Sequence, residues 1–245
     1  MPSVTSEKYR WCQARFDRQY PEFRNAGQLY QELAGAHIDV HTRVLDLGCG
    51  RSSLAAPQMN VAHCTAGIDR SLVDLQGNHS VRHPILGGAE RLPFAAASLD
   101  VVLSQWVVEH LARPDAVFAE VARVLRPGGA FILLTTNARN YVPLVSRLVP
   151  AQVQGGLLES LIGRPQHESF PTHYRANTCR ALSRLAGRVG LTVAQCTYVG
   201  NPFYLAFSRP LFLGALLFER LTDPPPLRGL KLYIVAVLGK PIADR

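Results

Sequence analysis

The stretch Arg43-Val-Leu-Asp-Leu-Gly-Cys-Gly50 limits what this chain can fold into more than any other. Apolar residues lead up to Asp46, and glycines follow at positions 48 and 50. That is the composition of a buried strand whose chain must turn sharply and lie close to a ligand. Ligands on open α/β sheets bind beyond the carboxyl ends of the strands, which is where this turn falls. Further apolar runs stand at Ala62 to Asp69, Leu99 to Ser104 and Ala130 to Thr136. Stretches of helical pattern separate them, notably Asp115 to Leu125, which stops at Arg126-Pro-Gly-Gly129. Nearly all-apolar strands alternating with helices predict a doubly wound α/β fold with a parallel sheet covered on both faces.

The flanks are read more coarsely. Residues 6–36 carry Tyr9, Phe16, Tyr20, Phe23 and Tyr30 in a helical pattern broken at Pro21, and residues 1–42 are expected to form an N-terminal helical cap. The remainder, 43–245, forms the main domain. Within it, Asn137 to Thr178 has several Gly and Pro and weak periodicity, so 137–178 reads as an insertion or lid. A helix follows at Asn177 to Val189, closed by Gly190, then a strand at Thr192 to Val199 and a last strand at Leu232 to Leu238. Between those strands lies a hydrophobic connection, 203–226, made of the apolar stretch Phe203 to Leu221 and a turn at Pro224-Pro-Pro226.

Composition removes several classes. With 245 residues, 47% hydrophobic and 18% charged, the chain can bury a core without staples. Its five cysteines are scattered, with no CxxC pair or Cys/His cluster, so neither a disulfide framework nor a metal site is expected. The first residues, with Glu7, Lys8 and Arg10, lack the apolar core of a signal peptide, and a cytoplasmic location is the expectation. The net charge of +8 comes from arginines spread along the chain rather than from a run, so nucleic acid is not an expected partner.

Asp69 ends the second apolar run roughly 20 residues beyond the glycine turn, the separation at which a carboxylate accepts hydrogen bonds from a ribose diol. A nicotinamide-dependent oxidoreductase would want G-x-G-x-x-G there. From Gly48 the sequence reads G-C-G-R-S-S, with Ser53 in the sixth place. The missing glycine disfavours a pyrophosphate, whereas a cationic cofactor suits the acidic surroundings.

The series VLDLGCG, Gly67-Ile-Asp69, Leu92-Pro-Phe94, Ser98-Leu-Asp-Val-Val-Leu-Ser104 with Glu109-His110 after it, and Leu125-Arg-Pro-Gly-Gly-Ala130 resembles the class I S-adenosylmethionine-dependent methyltransferases. The likeness is greatest to the broad group holding the ubiquinone and menaquinone biosynthesis enzymes, and it covers roughly residues 40–140. It implies a Rossmann-like, mostly parallel seven-stranded sheet and S-adenosyl-L-methionine as cofactor. By this resemblance Asp46, Gly48, Cys49 and Gly50 surround the methionine and ribose, Asp69 holds the ribose hydroxyls, and Arg70 follows it. Ala89 and Glu90 border the adenine, and Ser104, Gln105 and Trp106 line the reactive end. Two places depart from the family. Ser52 stands where a third glycine is common, and it is small enough to cap the next helix. Gly88 stands where an aspartate often contacts the adenine, leaving that contact to backbone or Glu90.

Methyl transfer from a sulfonium is an in-line displacement that neutralises charge, so the protein mainly aligns the groups and excludes water. A base helps when the acceptor is a hydroxyl or an acidic carbon. His110 is the first candidate, equally readable as a packed residue, and His173 the second together with His167, both of which read more readily as solvated loop histidines. Ser104-Gln-Trp-Val107 lacks the Pro-Pro-aromatic motif of nucleobase amino methylation. Arg209-Pro210 and Glu219-Arg220 rule 203–221 out as a membrane span, leaving a substrate cap, a homodimer surface, a membrane-interface helix or plain core. These features favour O- or C-methylation of a small-molecule or lipid-like acceptor. The alternatives are a non-catalytic protein on the same scaffold and, more remotely, an RNA methyltransferase or the oxidoreductase.

Overall fold

A computed structural model describes residues 7–148 and 171–242. Seven strands, β1 (Arg43–Leu47), β2 (Cys64–Asp69), β3 (His83–Leu86), β4 (Leu99–Gln105), β5 (Leu125–Thr136), β6 (Thr192–Val199) and β7 (Tyr233–Gly239), form one sheet in the order β3-β2-β1-β4-β5-β7-β6. Pairing is parallel from β3 through β5, with Asp46 beside Gly67 on one side and Leu103 on the other. β7 runs against β5, because Gly128 bonds Lys240 at one end while Asn137 bonds Leu232 at the other. The strand order reverses between β1 and β4, and a crevice at such a switch point is where ligands of this fold bind.

The described chain forms two compact units. The first gathers Ala26–Thr136, Thr172–Thr197 and Ile234–Arg245, and it contains nearly all of the sheet. Its core is Leu45, Leu47, Leu103, Phe131, Ile132 and Leu133, all fully buried, as nearly all-apolar central strands require. α5 (Pro114–Val124) starts with proline at its first position and buries Val117, Phe118 and Val121 at helical spacing. α2 (Ala26–Gly35) contributes Tyr30, fully buried. After the glycine turn comes only α3 (Ala56–Met59), whose cap is Ala55 with no side-chain bond. Ser52 is therefore not the helix cap its size suggested; its carbonyl instead accepts from Gln105.

α7 (Cys179–Arg188), capped by the Thr178 hydroxyl, stands beside β6, and Cys179 is bonded to Cys196 across a Cα separation of 6.1 Å. This corrects the expectation of no disulfide. The two residues are 17 apart in sequence, and nothing in the spacing shows that a helix start and a strand meet.

The second unit comprises Met1–Asn25, Asn137–Pro171 and Tyr198–Tyr233. Its elements include α1 (Glu7–Gln19), α6 (Tyr141–Leu148) and α8 (Arg209–Leu221), and between Val199 and Tyr233 also short 3-10 turns at Pro202–Leu205 and Pro225–Leu230. Cys12 and Phe16 of α1 are buried with Ala206, Phe212 and Leu216, and Tyr9, Tyr20, Phe23 and Phe203 pack around them. The aromatics of the N-terminal segment thus divide after Asn25, with Tyr9, Phe16, Tyr20 and Phe23 in this unit and Tyr30 in the sheet unit. Among the described residues no helix is long and apolar enough to cross a membrane. His167 lies outside the described residues.

Candidate functional site

The turn after β1 is held by the strand beside it. The Gly48 and Cys49 amides both donate to the Ile68 carbonyl, at 2.8 and 3.2 Å. Gly48 has φ +73°, and a Cβ there would collide with the Val107 side chain. Gly50 has φ +48°, yet a Cβ there would meet nothing within 4 Å, so open space lies above it. Gly48→Ala is expected to cost on the order of 2 kcal/mol or more, through left-handed backbone strain plus the clash. Chemical denaturation would measure it.

Asp69 joins this turn to the next helix. One carboxylate oxygen accepts from the Gly50 amide at 2.9 Å and the other from the Ser71 amide at 2.8 Å. Ser71 in turn caps α4 (Leu72–Gln76) through its hydroxyl. The carbonyls of Cys49 and Gly50 are clamped by the Asn78 amide at 3.1 and 2.7 Å. Asn78 is buried and was not among the residues expected at the site; its position just past Gly77 gives no pattern to find it by. The Cys49 sulfur lies under the turn, where a Cβ on Gly67 would run into it, and burial pushes its thiol up to about 12.

Asp46 is fully buried and neither of its oxygens has a hydrogen-bond partner. Burial raises its pKa to about 7; the Ser53 hydroxyl opposes the rise without reaching bonding geometry, and the Asp69 carboxylate adds to it. A carboxyl raised in the folded state contributes most to stability below the unfolded pKa, near 4, and that contribution is lost as pH rises through about 7. Asp46→Asn is therefore expected to flatten the fall in unfolding free energy between about pH 4 and about pH 7. Denaturant titrations of both proteins across that range would show it.

Arg70 and Glu90 form an ion pair over Gly88, where a Cβ would come within 3.0 Å of the Glu90 carboxylate. Burial would raise the Glu90 pKa, but the Arg70 hydrogen bond and a backbone amide outweigh it and hold the carboxyl low. The missing aspartate at position 88 is thus matched by a neighbouring charged pair. Ala89 lies half-buried in the same turn.

At the end of β4, Ser104 is fully buried with its hydroxyl unpartnered. Gln105 accepts from the Leu54 amide and donates to the Ser52 carbonyl, both at 2.7 Å, and so holds the segment after the glycine turn rather than facing open space. Trp106 adopts φ +57°, and its amide donates to the Leu134 carbonyl. Its side chain is 36% exposed, which excludes plain core packing. A left-handed tryptophan is uncommon and persists only where its surroundings impose it.

The histidines follow. Val108–His110 is a 3-10 turn, and the amides of His173 and Tyr174 donate to the Glu109 carbonyl at 2.7 and 3.1 Å. The structure therefore brings the His173 backbone next to the residue before His110. His110 is partly buried and His173 exposed. The Glu109 carboxylate is buried and accepts from the Thr135 and Thr136 hydroxyls at 2.6 and 3.2 Å, while Asn177 donates to Thr135 at 2.7 Å. This network at the carboxyl end of β5 was not legible beforehand, because threonines at a strand end resemble ordinary strand residues.

A cavity of about 290 Å³ lies elsewhere, between the start of α5 and α7, lined by Arg113, Arg175, Arg184 and Arg188 among others. Among the described residues no three His, Cys, Asp or Glu are grouped to hold a metal ion.

With this geometry in view, residues 45–133 match the family of the methyltransferase domain. A probable S-adenosylmethionine-dependent methyltransferase of Mycolicibacterium smegmatis is 34% identical over 127 residues, covering 49% of this chain and 48% of that protein. A ubiquinone biosynthesis O-methyltransferase of Agrobacterium fabrum is 33% identical over 102 residues, covering 39% and 41%. The solved geranyl diphosphate C-methyltransferase of Streptomyces coelicolor shares the fold, with a TM-score of 0.57 at 13% identity over 98% of this chain and 86% of that one. The match spans about half the length of the curated relatives or less. The matched residues 45–133 lie within the sheet unit and run from β1 into β5.

Proposed function

We propose that the protein transfers a methyl group from S-adenosyl-L-methionine to a small-molecule or lipid-like acceptor, at oxygen or carbon. One observation carries the cofactor assignment. Asp46 and Asp69 lie at a glycine turn with open space above Gly50, and the buried Asp46 carboxyl lacks any partner. An acidic cradle fits a ligand bearing a sulfonium, an ammonium and a ribose diol, and it would repel a pyrophosphate. When bound, the cofactor supplies the electrophilic methyl group. Asp69 would accept from the ribose hydroxyls while its amide bonds keep the carboxylate oriented. The Arg70–Glu90 pair would border the adenine beside Ala89, and Gly48 and Gly50 would let the backbone approach. Ser104 and Trp106 stand at the strand end expected to face the reactive centre, with Gln105 holding the neighbouring loop.

His110 is the general base we assign for a hydroxyl acceptor, with His173 as its companion across the Glu109 carbonyl. The acceptor class rests on relatives named for ubiquinone biosynthesis and geranyl diphosphate methylation, and on the apolar α8. Calorimetric titration with S-adenosyl-L-methionine, S-adenosylhomocysteine and NADH, followed by transfer of labelled methyl to prenylated phenols, tests the reading. Micromolar binding of both adenosyl ligands and label in the phenol are the expected results. NADH binding in their place would overturn it. Adenosyl binding with no transfer to any apolar acceptor would favour the non-catalytic alternative. His110→Ala should lower the transfer rate to a phenol on the order of 100-fold while leaving cofactor affinity unchanged, as loss of a general base does.

A further inference from the structure

The outward face of α8 carries no polar side chain. At 100° per residue, Phe212, Ala215, Leu216 and Glu219 form the buried face, and the opposite side presents Pro210, Leu213, Gly214, Leu217 and Leu221. Leu213, Leu217 and Leu221 are 42, 57 and 58% exposed. A surface helix ordinarily sets charged residues opposite its core face. Among the described residues the charges beside the stripe are Arg209, which pairs with Glu7 at 3.3 Å, and Arg220, the two arginines lying along one edge. The apolar surface continues onto α6, whose Tyr141 stacks edge-on against Phe218 at 5.1 Å and whose Leu144 and Val145 are exposed. At the start of α8 the Arg209 guanidinium sits 5.2 Å from the ring centre of the partly exposed Trp11. α1 also displays Lys8, Arg10, Arg15 and Arg18 to solvent, against only Glu7 and Asp17.

We infer that this face docks on an anionic lipid surface. Leucines on one side of a helix, an indole at its border and a fringe of cations are what an interfacial helix needs. The leucines enter the acyl boundary, the indole lies at headgroup depth, and the cations meet lipid phosphates. A second copy of the chain fits less well. α8 is about 20 Å long, and one helical stripe falls far short of the roughly 800 Å² per partner that a stable dimer buries. The guanidiniums along its edge would also gain nothing from a copy of themselves. The inference rests on the lipid-like acceptor for its purpose, since an enzyme of membrane-dissolved substrates gains by standing at the surface.

Flotation of the full chain with phosphatidylcholine vesicles, with and without phosphatidylglycerol, tests it. Binding is expected only with phosphatidylglycerol, weakening as salt rises. Leu217→Asp should reduce it on the order of tenfold or more, and Arg220→Glu several-fold. Both side chains face outward, so melting temperature should be unchanged. Calorimetry of Leu217→Asp with S-adenosyl-L-methionine separates the two readings, because loss of vesicle binding with cofactor binding intact concerns this surface alone. Equal flotation of Leu217→Asp and the parent, or no phosphatidylglycerol-dependent flotation, would overturn the inference. So would a dimer in sedimentation equilibrium that Leu217→Asp dissociates, which would give the face to a second copy.

Discussion

Asp69→Ala is expected to weaken S-adenosyl-L-methionine binding on the order of 100-fold or more, from the loss of charge-assisted hydrogen bonds to a ribose diol. The carboxylate has two assignments that a single substitution would blur. It receives the Gly50 and Ser71 amides, which shape the glycine turn and the start of α4, and it is the group proposed to receive the ribose. Asp69→Asn separates them. An amide keeps one oxygen as an acceptor for one backbone amide but turns its NH2 donor toward the other, so its melting temperature should fall, though less than that of Asp69→Ala, which loses both bonds. Its affinity should fall at least several-fold, because the acceptor pair for two hydroxyls is gone. Calorimetry and thermal melting on the parent and both variants provide the check. If Asp69→Asn bound the cofactor as the parent does, Asp69 would be a turn-shaping residue, and the ribose would have to be held elsewhere.

Much of the sheet unit could be read from the sequence because its signals are local. β1, β2 and β4 are largely apolar runs, and the glycines after β1 stand where positive φ, and at Gly48 also close approach, demands them. What escaped reading depends on contacts between segments distant in sequence. Asn78 reaches back to the turn carbonyls, Gln105 staples residues 52–54, and Glu109 draws in Thr135 and Asn177. Each is a polar side chain satisfied by groups 26 to 53 positions away, and no periodicity marks such a residue. The Cys179–Cys196 bond failed for the same reason. An aromatic beside a strand end, as Trp106 is, usually packs into the core. Its left-handed backbone turns the ring partly into solvent. The apolar stretch 203–221 shows the opposite limit. Its hydrophobicity was plain, but only the helix register divides it into a core face and an outward face.

That register is fixed at its carboxyl end by a buried ion pair, whose disruption should give the largest stability loss in the second unit. Lys231 and Glu219 are both nearly inaccessible. The three protons of the Lys231 ammonium go to the Glu219 carboxylate at 2.9 Å, the Glu219 carbonyl at 3.2 Å and Asp223 at 2.9 Å. The other Glu219 oxygen accepts from the Asn201 amide at 3.0 Å, and Asp223 also accepts from the Tyr20 hydroxyl at 2.8 Å. Every polar group in the cluster is therefore partnered, which is the condition under which a buried charge is tolerated. Lys231→Met keeps most of the side-chain volume but strands a carboxylate inside, at an expected cost of about 3–5 kcal/mol. Glu219→Leu alone should be comparably harmful, because it leaves the ammonium with fewer acceptors. The double substitution should recover a large part of the loss, since an apolar pair of similar size needs no partner. Denaturant unfolding of the four proteins decides the matter. Additive losses would mean that Lys231 and Glu219 act independently and that the end of α8 is held by its apolar contacts alone.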